Sequence, residues 1–190
     1  MHVTDPQALT DPSSATTSTL RELRDRVEIL DALYRFALGQ DLADGELLAS
    51  AFASDAELDF RPAAARWGAD PPVMRGRAQI AATILEMFGG RVATTHQVTN
   101  PRIAVLGDTA RLTALVEAQH LLVADPTTHA LLKNLYEVRL TRDGARWVIR
   151  QMIIDNVWLT GDPIAIFGTP STEQRAGEDR DVTSDAEHHV

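Results

Sequence analysis

The sequence predicts an α+β fold in which about three N-terminal helices cover a curved antiparallel sheet with one mixed edge. Within residues 18–42 and 77–88 apolar residues recur every three or four positions, which is the spacing of amphipathic helices. From about residue 92 onward they alternate with polar residues, as in strands with one buried face. A long bent sheet covered by helices forms a cone-shaped barrel, so we expect an internal cavity.

The composition and the net charge of the chain exclude several kinds of partner and of functional site. With 190 residues, of which 44% are hydrophobic, the chain can form one domain around a sizeable core. Its formal net charge of −9 argues against a nucleic-acid partner. The absence of cysteine excludes thiol catalysis, Cys-based zinc sites and disulfides, and favours a cytoplasmic location. No apolar run of about 18 residues and no signal-peptide pattern occurs, so we expect no membrane partner.

The polar, Pro-containing residues 1–17 predict a disordered leader, and the acidic residues 169–190 a disordered tail, around a domain spanning 18–168. A long helix is expected to begin at a Ser18 or Thr19 cap and to end near residue 42. Its predicted buried stripe comprises Leu20, Leu23, Val27, Leu30, Tyr34, Ala37 and Leu38.

The same two periods predict the remaining elements. These are helices at 45–52 and 77–88, a strand at 55–60, an extended segment at 73–76, and strands at 92–98, 102–106, 110–123, 131–141 and 147–158. Asn100 and Pro101 are expected to end the strand that carries His96. Residues 61–72, rich in Pro, Gly and Ala, are expected to form a lid or an edge insertion around Trp67.

Three polar residues point to one interior by independent periodicity arguments: Asp41 from the helix, and His96 and His120 from strands. Burying such groups without partners would cost several kcal/mol in total, about 1–3 each. A carboxylate that accepts a hydrogen bond from one imidazole nitrogen fixes the tautomer and raises the basicity of the other nitrogen. The pattern therefore indicates that Asp41 activates His96 as a general base.

Other interpretations of these residues stay open at this point. A His–Asp pair can simply tie a helix to a sheet. Asp41 and the two histidines could form a metal-binding facial triad, although no short His-x-Asp spacing supports it, so no metal is expected. Five residues could line the cavity or belong to the ordinary core: Tyr34, Phe60, Asn134, Tyr136 and Met152. We expect Trp147, Trp158 and Phe167 to serve packing.

The order of elements, together with the segments MRGRAQI (74–80), THQVTNP (95–101) and LTRDGARWVIRQM (140–152), resembles the SnoaL-like branch of the nuclear transport factor 2-like superfamily. The resemblance covers roughly residues 18–168. It implies a cone-shaped α+β barrel that holds a small apolar ligand and assembles as a homodimer or homotrimer.

The resemblance also implies roles for the site. Scytalone dehydratase and hexachlorocyclohexane dehydrochlorinase carry an Asp near the end of the first helix and a His on the strand after the third, which match Asp41 and His96. The dehydratase has a second His that matches His120, as an acid or a substrate-orienting donor. Its two tyrosines are missing here, because Gln40 precedes Asp41 and the first strand offers Phe60 or Asp59.

The sequence therefore predicts a lyase or isomerase without cofactor, of dehydratase or polyketide cyclase type. Its substrate is expected to be a small, mostly apolar cyclic metabolite that loses a proton to His96. The alternative is a non-catalytic ligand-binding protein, or a small subunit of the kind found in ring-hydroxylating dioxygenases.

Overall fold

The computed structural model describes residues 16–168, so residues 1–15 of the predicted leader (1–17) and the whole predicted tail (169–190) lie outside the described part. The helices are α1 (Thr16–Asp41), α2 (Gly45–Ser50), α3 (Arg61–Ala64), which a 3₁₀ turn continues (Ala65–Trp67), α4 (Arg77–Phe88) and α5 (Pro163–Phe167). The strands are β1 (Phe52–Asp59), β2 (Met74–Arg75), β3 (Val92–Leu106), β4 (Thr109–Leu122), β5 (His129–Asp143) and β6 (Arg146–Gly161). Because α1 begins at Thr16, the predicted cap at Ser18 or Thr19 is wrong.

The six strands form one open sheet in the order β2-β1-β6-β5-β4-β3. The pairs β3–β4, β4–β5 and β5–β6 are antiparallel meander connections, whereas β1 runs parallel to β6. The predicted α+β fold with a mixed edge is confirmed. Among residues 16–168, no helix is long and apolar enough to cross a membrane.

Strand β3 continues through the point where the sequence predicted its end. Its register with β4 shifts between Thr99 and Arg102. Asn100 takes a positive φ of 52° there, which Asn tolerates better than most residues. Pro101 has no N–H to give to a ladder. Asn100 and Pro101 therefore form an irregularity inside one long strand.

The face of α1 that packs on the sheet is not the one that the sequence predicted. The helix buries a different apolar set: Ile29, Ala32, Leu33, Phe36 and Ala37. The predicted stripe is mostly exposed, since of its members only Ala37 is buried and Leu30 partly so. The helix has two apolar faces, and periodicity does not distinguish the face that meets the sheet.

Two polar anchors hold α1 against the sheet. Arg35 donates to the carbonyl oxygen of Trp147 at 2.8 Å and to that of Ser50. Asp25 accepts from Arg142 at 2.8 Å and from the Trp147 indole at 3.2 Å. Although burial opposes it, these bonds hold the pKa of Asp25 below its ordinary value. The anchors fix the direction of α1, and so the place where its last residue projects.

We expect Gly39→Ala to destabilise the protein. A Cβ at Gly39 would lie 2.5 Å from the backbone nitrogen of Leu48, because α1 and α2 touch there. Relieving this overlap requires backbone movement, which costs roughly 1–3 kcal/mol. Urea denaturation measures the loss, and Gly45→Ala is the control, since its Cβ would meet only the end of the Leu85 side chain at 3.0 Å. Equal stabilities of the two variants would contradict this packing.

Candidate active site

Asp41 ends α1, where the helix dipole disfavours a negative charge. Three hydrogen bonds compensate: Thr94 Oγ1 donates to Oδ1 at 2.8 Å, the backbone N–H of His96 donates to Oδ2 at 2.8 Å, and the His96 ring lies 2.6 Å from Oδ1 through Nδ1. Burial alone would raise the pKa of Asp41, but the bonds from His96 and Thr94 outweigh it and lower the pKa. Asp41 is therefore a carboxylate at neutral pH.

The contact with Asp41 sets the tautomer of His96. Because a carboxylate only accepts hydrogen bonds, Nδ1 carries the proton and donates it, and Nε2 of the neutral ring keeps its lone pair. His96 has the same inward orientation on β3 as Thr94, as their two-residue spacing predicts. A ring held in this way can accept a proton at Nε2.

His120 faces His96 from the neighbouring strand β4, with 5.7 Å between the ring centroids and nearly perpendicular planes. The residue is 3% exposed, and its Nδ1 has no hydrogen-bond partner among residues 16–168. Burial lowers the pKa of His120 to about 3, and a charge on His96 lowers it further, while the carbonyl groups of Ala118 and Ala130 oppose the shift. His120 is therefore neutral at physiological pH.

Both histidines line a cavity between the helices and the sheet, with about 510 Å³ of empty space when the open solvent at its mouth is included. The wall is mostly apolar. Its apolar and aromatic residues are Phe36, Leu58, Phe60, Met74, Ile84, Met87, Phe88, Ala118, Leu132, Ile154 and Phe167. The polar lining residues are Gln40, His96, His120, Asn134 and Tyr136. No Lys, Arg, Asp or Glu is among these described residues.

The five candidate ligand-contacting residues divide into two groups. Phe60, Asn134 and Tyr136 lie in the cavity wall. Tyr34 lies on the solvent face of α1, because α1 packs on its other apolar side. Met152 is fully buried in the core and does not line the cavity. Neither Tyr34 nor Met152 is therefore placed to touch a ligand.

A buried amide pair orients Asn134. Asn156 Nδ2 lies within hydrogen-bond distance of Asn134 Oδ1 at 2.9 Å and of the carbonyl oxygens of Lys133 and Trp158, where the β5–β6 register shifts. Since Oδ1 of Asn134 accepts from Asn156, the NH₂ group of Asn134 is left to donate elsewhere. Burial raises the pKa of Tyr136, and the Asn134 side chain opposes that shift. Asn134 and Tyr136 therefore present neutral hydrogen-bonding groups at one side of the cavity.

Sequence reasoning missed part of the wall. Phe167, expected to serve packing, lines the cavity from α5 and lies 4.9 Å from His120 between ring centroids. Trp67 stacks on Phe167, with 5.2 Å between ring centroids, and so supports the wall from the segment 61–72, for which the sequence predicts a lid or an edge insertion. Gln40 is buried in the wall, one residue before Asp41. Residues 163–167 form α5, a helix of five residues, which is too short for helical periodicity to predict.

The alternative of a metal centre finds no geometric support. Among residues 16–168, no three His, Asp or Glu side chains are grouped so that they could hold a metal ion. Both carboxylate oxygens of Asp41 accept hydrogen bonds from His96 or Thr94. The arrangement that this geometry supports is the hydrogen-bonded dyad of Asp41 and His96.

Solved structures with this fold have related architectures at low identity. A hexachlorocyclohexane dehydrochlorinase LinA-type3 from Novosphingobium barchaimii is 21% identical, covers 80% of this chain and 99% of its own, and gives a TM-score of 0.63. A proposed scytalone dehydratase from Novosphingobium aromaticivorans is 19% identical over 78% and 92%, with a TM-score of 0.64. A proposed aromatic ring hydroxylase from the same species is 22% identical over 74% and 94%, with a TM-score of 0.64. No curated protein matches the sequence.

The family model is the more direct comparison, because it concerns this sequence itself. Residues 21–153 match the SnoaL-like domain, from the first helix to the last long strand. This range contains Asp41, His96 and His120 and most of the cavity wall. The chain therefore belongs to the SnoaL-like domain family.

Proposed function

We propose that the protein is a small-molecule lyase or isomerase in which His96 removes a proton from carbon. The observation that carries the proposal is the 2.6 Å contact between Asp41 and His96 Nδ1, on a ring that lines an apolar cavity. Proton transfer by a positioned imidazole typically contributes about 10²- to 10⁴-fold in rate. A purely structural His–Asp pair would not require an imidazole that lines an apolar cavity.

Each polar residue of the site has a separate role in the proposed reaction. Nε2 of His96 accepts the proton, while the electron pair of the C–H bond moves toward an adjacent carbonyl carbon or expels a leaving group. Asp41 stabilises the imidazolium that forms. In this proposal His120, neutral in the free protein, and the amide of Asn134 donate hydrogen bonds to the carbonyl or departing oxygen. The proton on His96 then passes to the product or to water.

The cavity wall defines the substrate class. Its described lining residues offer no ion-pair partner, so a charged substrate would lose its hydration without compensation. Its apolar and aromatic side chains suit a ring system, and its few polar groups suit one or two oxygens. We therefore infer a neutral, mostly apolar cyclic substrate. The names of two structural neighbours, a dehydrochlorinase and a proposed dehydratase, both describe eliminations.

A second candidate is a non-catalytic ligand-binding protein or a small subunit of a ring-hydroxylating complex. It is favoured by Gln40 and Phe60, which line the cavity where the dehydratase-like pattern would carry tyrosines. It is also compatible with the neighbour named as a proposed aromatic ring hydroxylase. This candidate predicts ligand binding without proton transfer.

Hydrogen–deuterium exchange distinguishes the candidates. Neutral cyclic ketones, hydroxyketones and halides would be incubated with the protein in D₂O and followed by NMR and mass spectrometry. The proposal predicts deuterium incorporation next to the carbonyl, or loss of the leaving group, and predicts that His96→Gln abolishes both. Binding of the same compounds without exchange or elimination would instead favour the ligand-binding candidate.

A further inference from the structure

Gln40 carries a buried amide that the fold leaves without a hydrogen-bond partner. Its side chain lies in the cavity wall and is 8% exposed. Within residues 16–168 no side chain or backbone group forms a hydrogen bond with this amide. A buried polar group that stays unsatisfied destabilises a folded protein. An amide kept in such a place therefore points to a partner that the fold does not supply, which is a ligand in the cavity.

The last turn of α1 brings Gln40 next to the dyad. Asp41, the following residue, binds the His96 ring at 2.6 Å. Phe36, one turn earlier on the same face of α1, also lines the cavity, and its ring lies 6.3 Å from the His96 ring between centroids. One helical turn thus supplies both the carboxylate that holds the base and an unpaired amide in the wall of the same cavity.

The amide of Gln40 offers a different hydrogen-bonding pattern from the other polar groups around it. A primary amide presents an acceptor, Oε1, beside a donor, the NH₂ group. Asn134 is left to donate, because its Oδ1 accepts from Asn156 at 2.9 Å. Nε2 of His96 is left to accept, because Nδ1 is engaged by Asp41. Gln40 is therefore suited to bind a donor and an acceptor that are neighbours on one ligand.

The charge of the wall narrows the groups that fit this amide. A carboxylic acid would be ionised at neutral pH, and no Lys or Arg is among the described lining residues to compensate its desolvation. A hydroxyl group beside a carbonyl group provides a neighbouring donor and acceptor without charge. We propose that Gln40 is a specificity-determining residue, which recognises the hydroxyl group of a cyclic α-hydroxyketone. The inference rests on the proposed function, because it names the substrate class of the same site.

The first test compares two probes that differ by one hydroxyl group. They are α-tetralone, a two-ring ketone, and its derivative with a hydroxyl on the carbon next to the carbonyl. Isothermal titration calorimetry of the full-length protein measures both dissociation constants. The wild type is expected to bind the hydroxyketone about 5- to 150-fold more tightly, because the plain ketone leaves the buried amide unpaired. In Gln40→Met, which keeps the length of the side chain but removes the amide, the two affinities should be nearly equal.

Gln151→Met is the matched control. It makes the same substitution on β6, outside the cavity wall, and should keep the wild-type preference for the hydroxyketone. Urea denaturation without ligand separates recognition from a structural role. Because the Gln40 amide makes no hydrogen bond within residues 16–168, Gln40→Met should be at least as stable as the wild type. A clear loss of stability would show that the amide serves the fold, and would overturn the proposal.

The binding experiment has further outcomes that would overturn the proposal. A wild type that binds both probes equally, or binds neither, would show that the ligand class is wrong. A preference that persists in Gln40→Met would place the recognition of the hydroxyl at another polar group of the wall.

Failure of the catalytic proposal is a separate result, because deuterium exchange is measured independently of these affinities. A hydroxyl preference that Gln40→Met removes, in a protein that exchanges no proton, would contradict catalysis by His96 and support the ligand class. Exchange that depends on His96, in a protein without the hydroxyl preference, would support catalysis and overturn the role of Gln40.

Discussion

Replacing His96 with glutamine is expected to lower kcat about 10²- to 10⁴-fold on any substrate that the exchange experiment identifies. Glutamine keeps a polar group in the wall but has no nitrogen that accepts a proton. KM should change little, because the apolar wall provides most of the contact with a ligand. Steady-state kinetics and the rate of deuterium incorporation both measure the effect. Retention of more than half of the wild-type kcat would exclude His96 as the base.

Asp41→Asn is expected to lower kcat by about 10²-fold or more, again with little effect on KM. An amide can present N–H to Nδ1 and so favour the wrong imidazole tautomer, and it cannot stabilise an imidazolium. Since Asp41 and His96 act as one unit, the double variant should be hardly worse than His96→Gln alone. Asp143→Asn is the matched control: it removes an exposed carboxylate at the end of β5, outside the cavity wall, and should leave kcat unchanged. Additive losses in the double variant would contradict the dyad.

The stability of the protein is expected to fall as pH decreases from 7 to 5, because of His120. Its pKa is about 3 in the folded protein and near 6.5 when it is exposed on unfolding. Between these values the unfolded chain binds a proton that the folded protein does not, so the free energy of unfolding decreases with decreasing pH. For one proton the slope is about 1.4 kcal/mol per pH unit, which gives about 2 kcal/mol from pH 6.5 to pH 5.

Urea denaturation at several pH values measures this slope. His120→Gln, which cannot titrate, should lower stability at pH 7 and show a flatter pH dependence. Phe52→Leu is the control, since it removes packing from a fully buried residue beside Phe36, 5.7 Å between ring centroids, whereas the ring contacts of His120 are with Phe88, His96 and Phe167. It should lower stability equally at each pH. The contribution of Asp41 does not overlap, because its pKa is lowered and its stabilisation is lost only as pH falls below the ordinary carboxylate range. An unchanged slope in His120→Gln would show that His120 accepts a proton in the folded state.

The class of fold and the direction of the two strand histidines follow from the pattern of apolar residues along the chain. Residues 110–123 alternate strictly, and His120 is buried with the apolar members of that alternation. His96 and Thr94 share one face for the same reason, because the side-chain period of a strand is two and a single register decides every position. Asp41 also points inward, although the stripe that predicted this is mostly exposed: Ala37, four residues earlier, is buried, but Tyr34, seven residues earlier, is not.

Local periodicity does not predict which face of α1 is buried or which distant residues meet in the folded protein. The helix α1 has two apolar faces. Packing against the sheet buries Ile29, Leu33 and Phe36 and leaves the other face, with Leu23, Val27 and Tyr34, exposed to solvent. The contact between Asp41 and His96 joins residues 55 positions apart, through a helix end that the anchors of Asp25 and Arg35 hold in place. Phe167, which follows the last strand in the chain, lines the cavity from α5. Such contacts depend on how whole elements pack, and that packing is settled by the burial of all faces together.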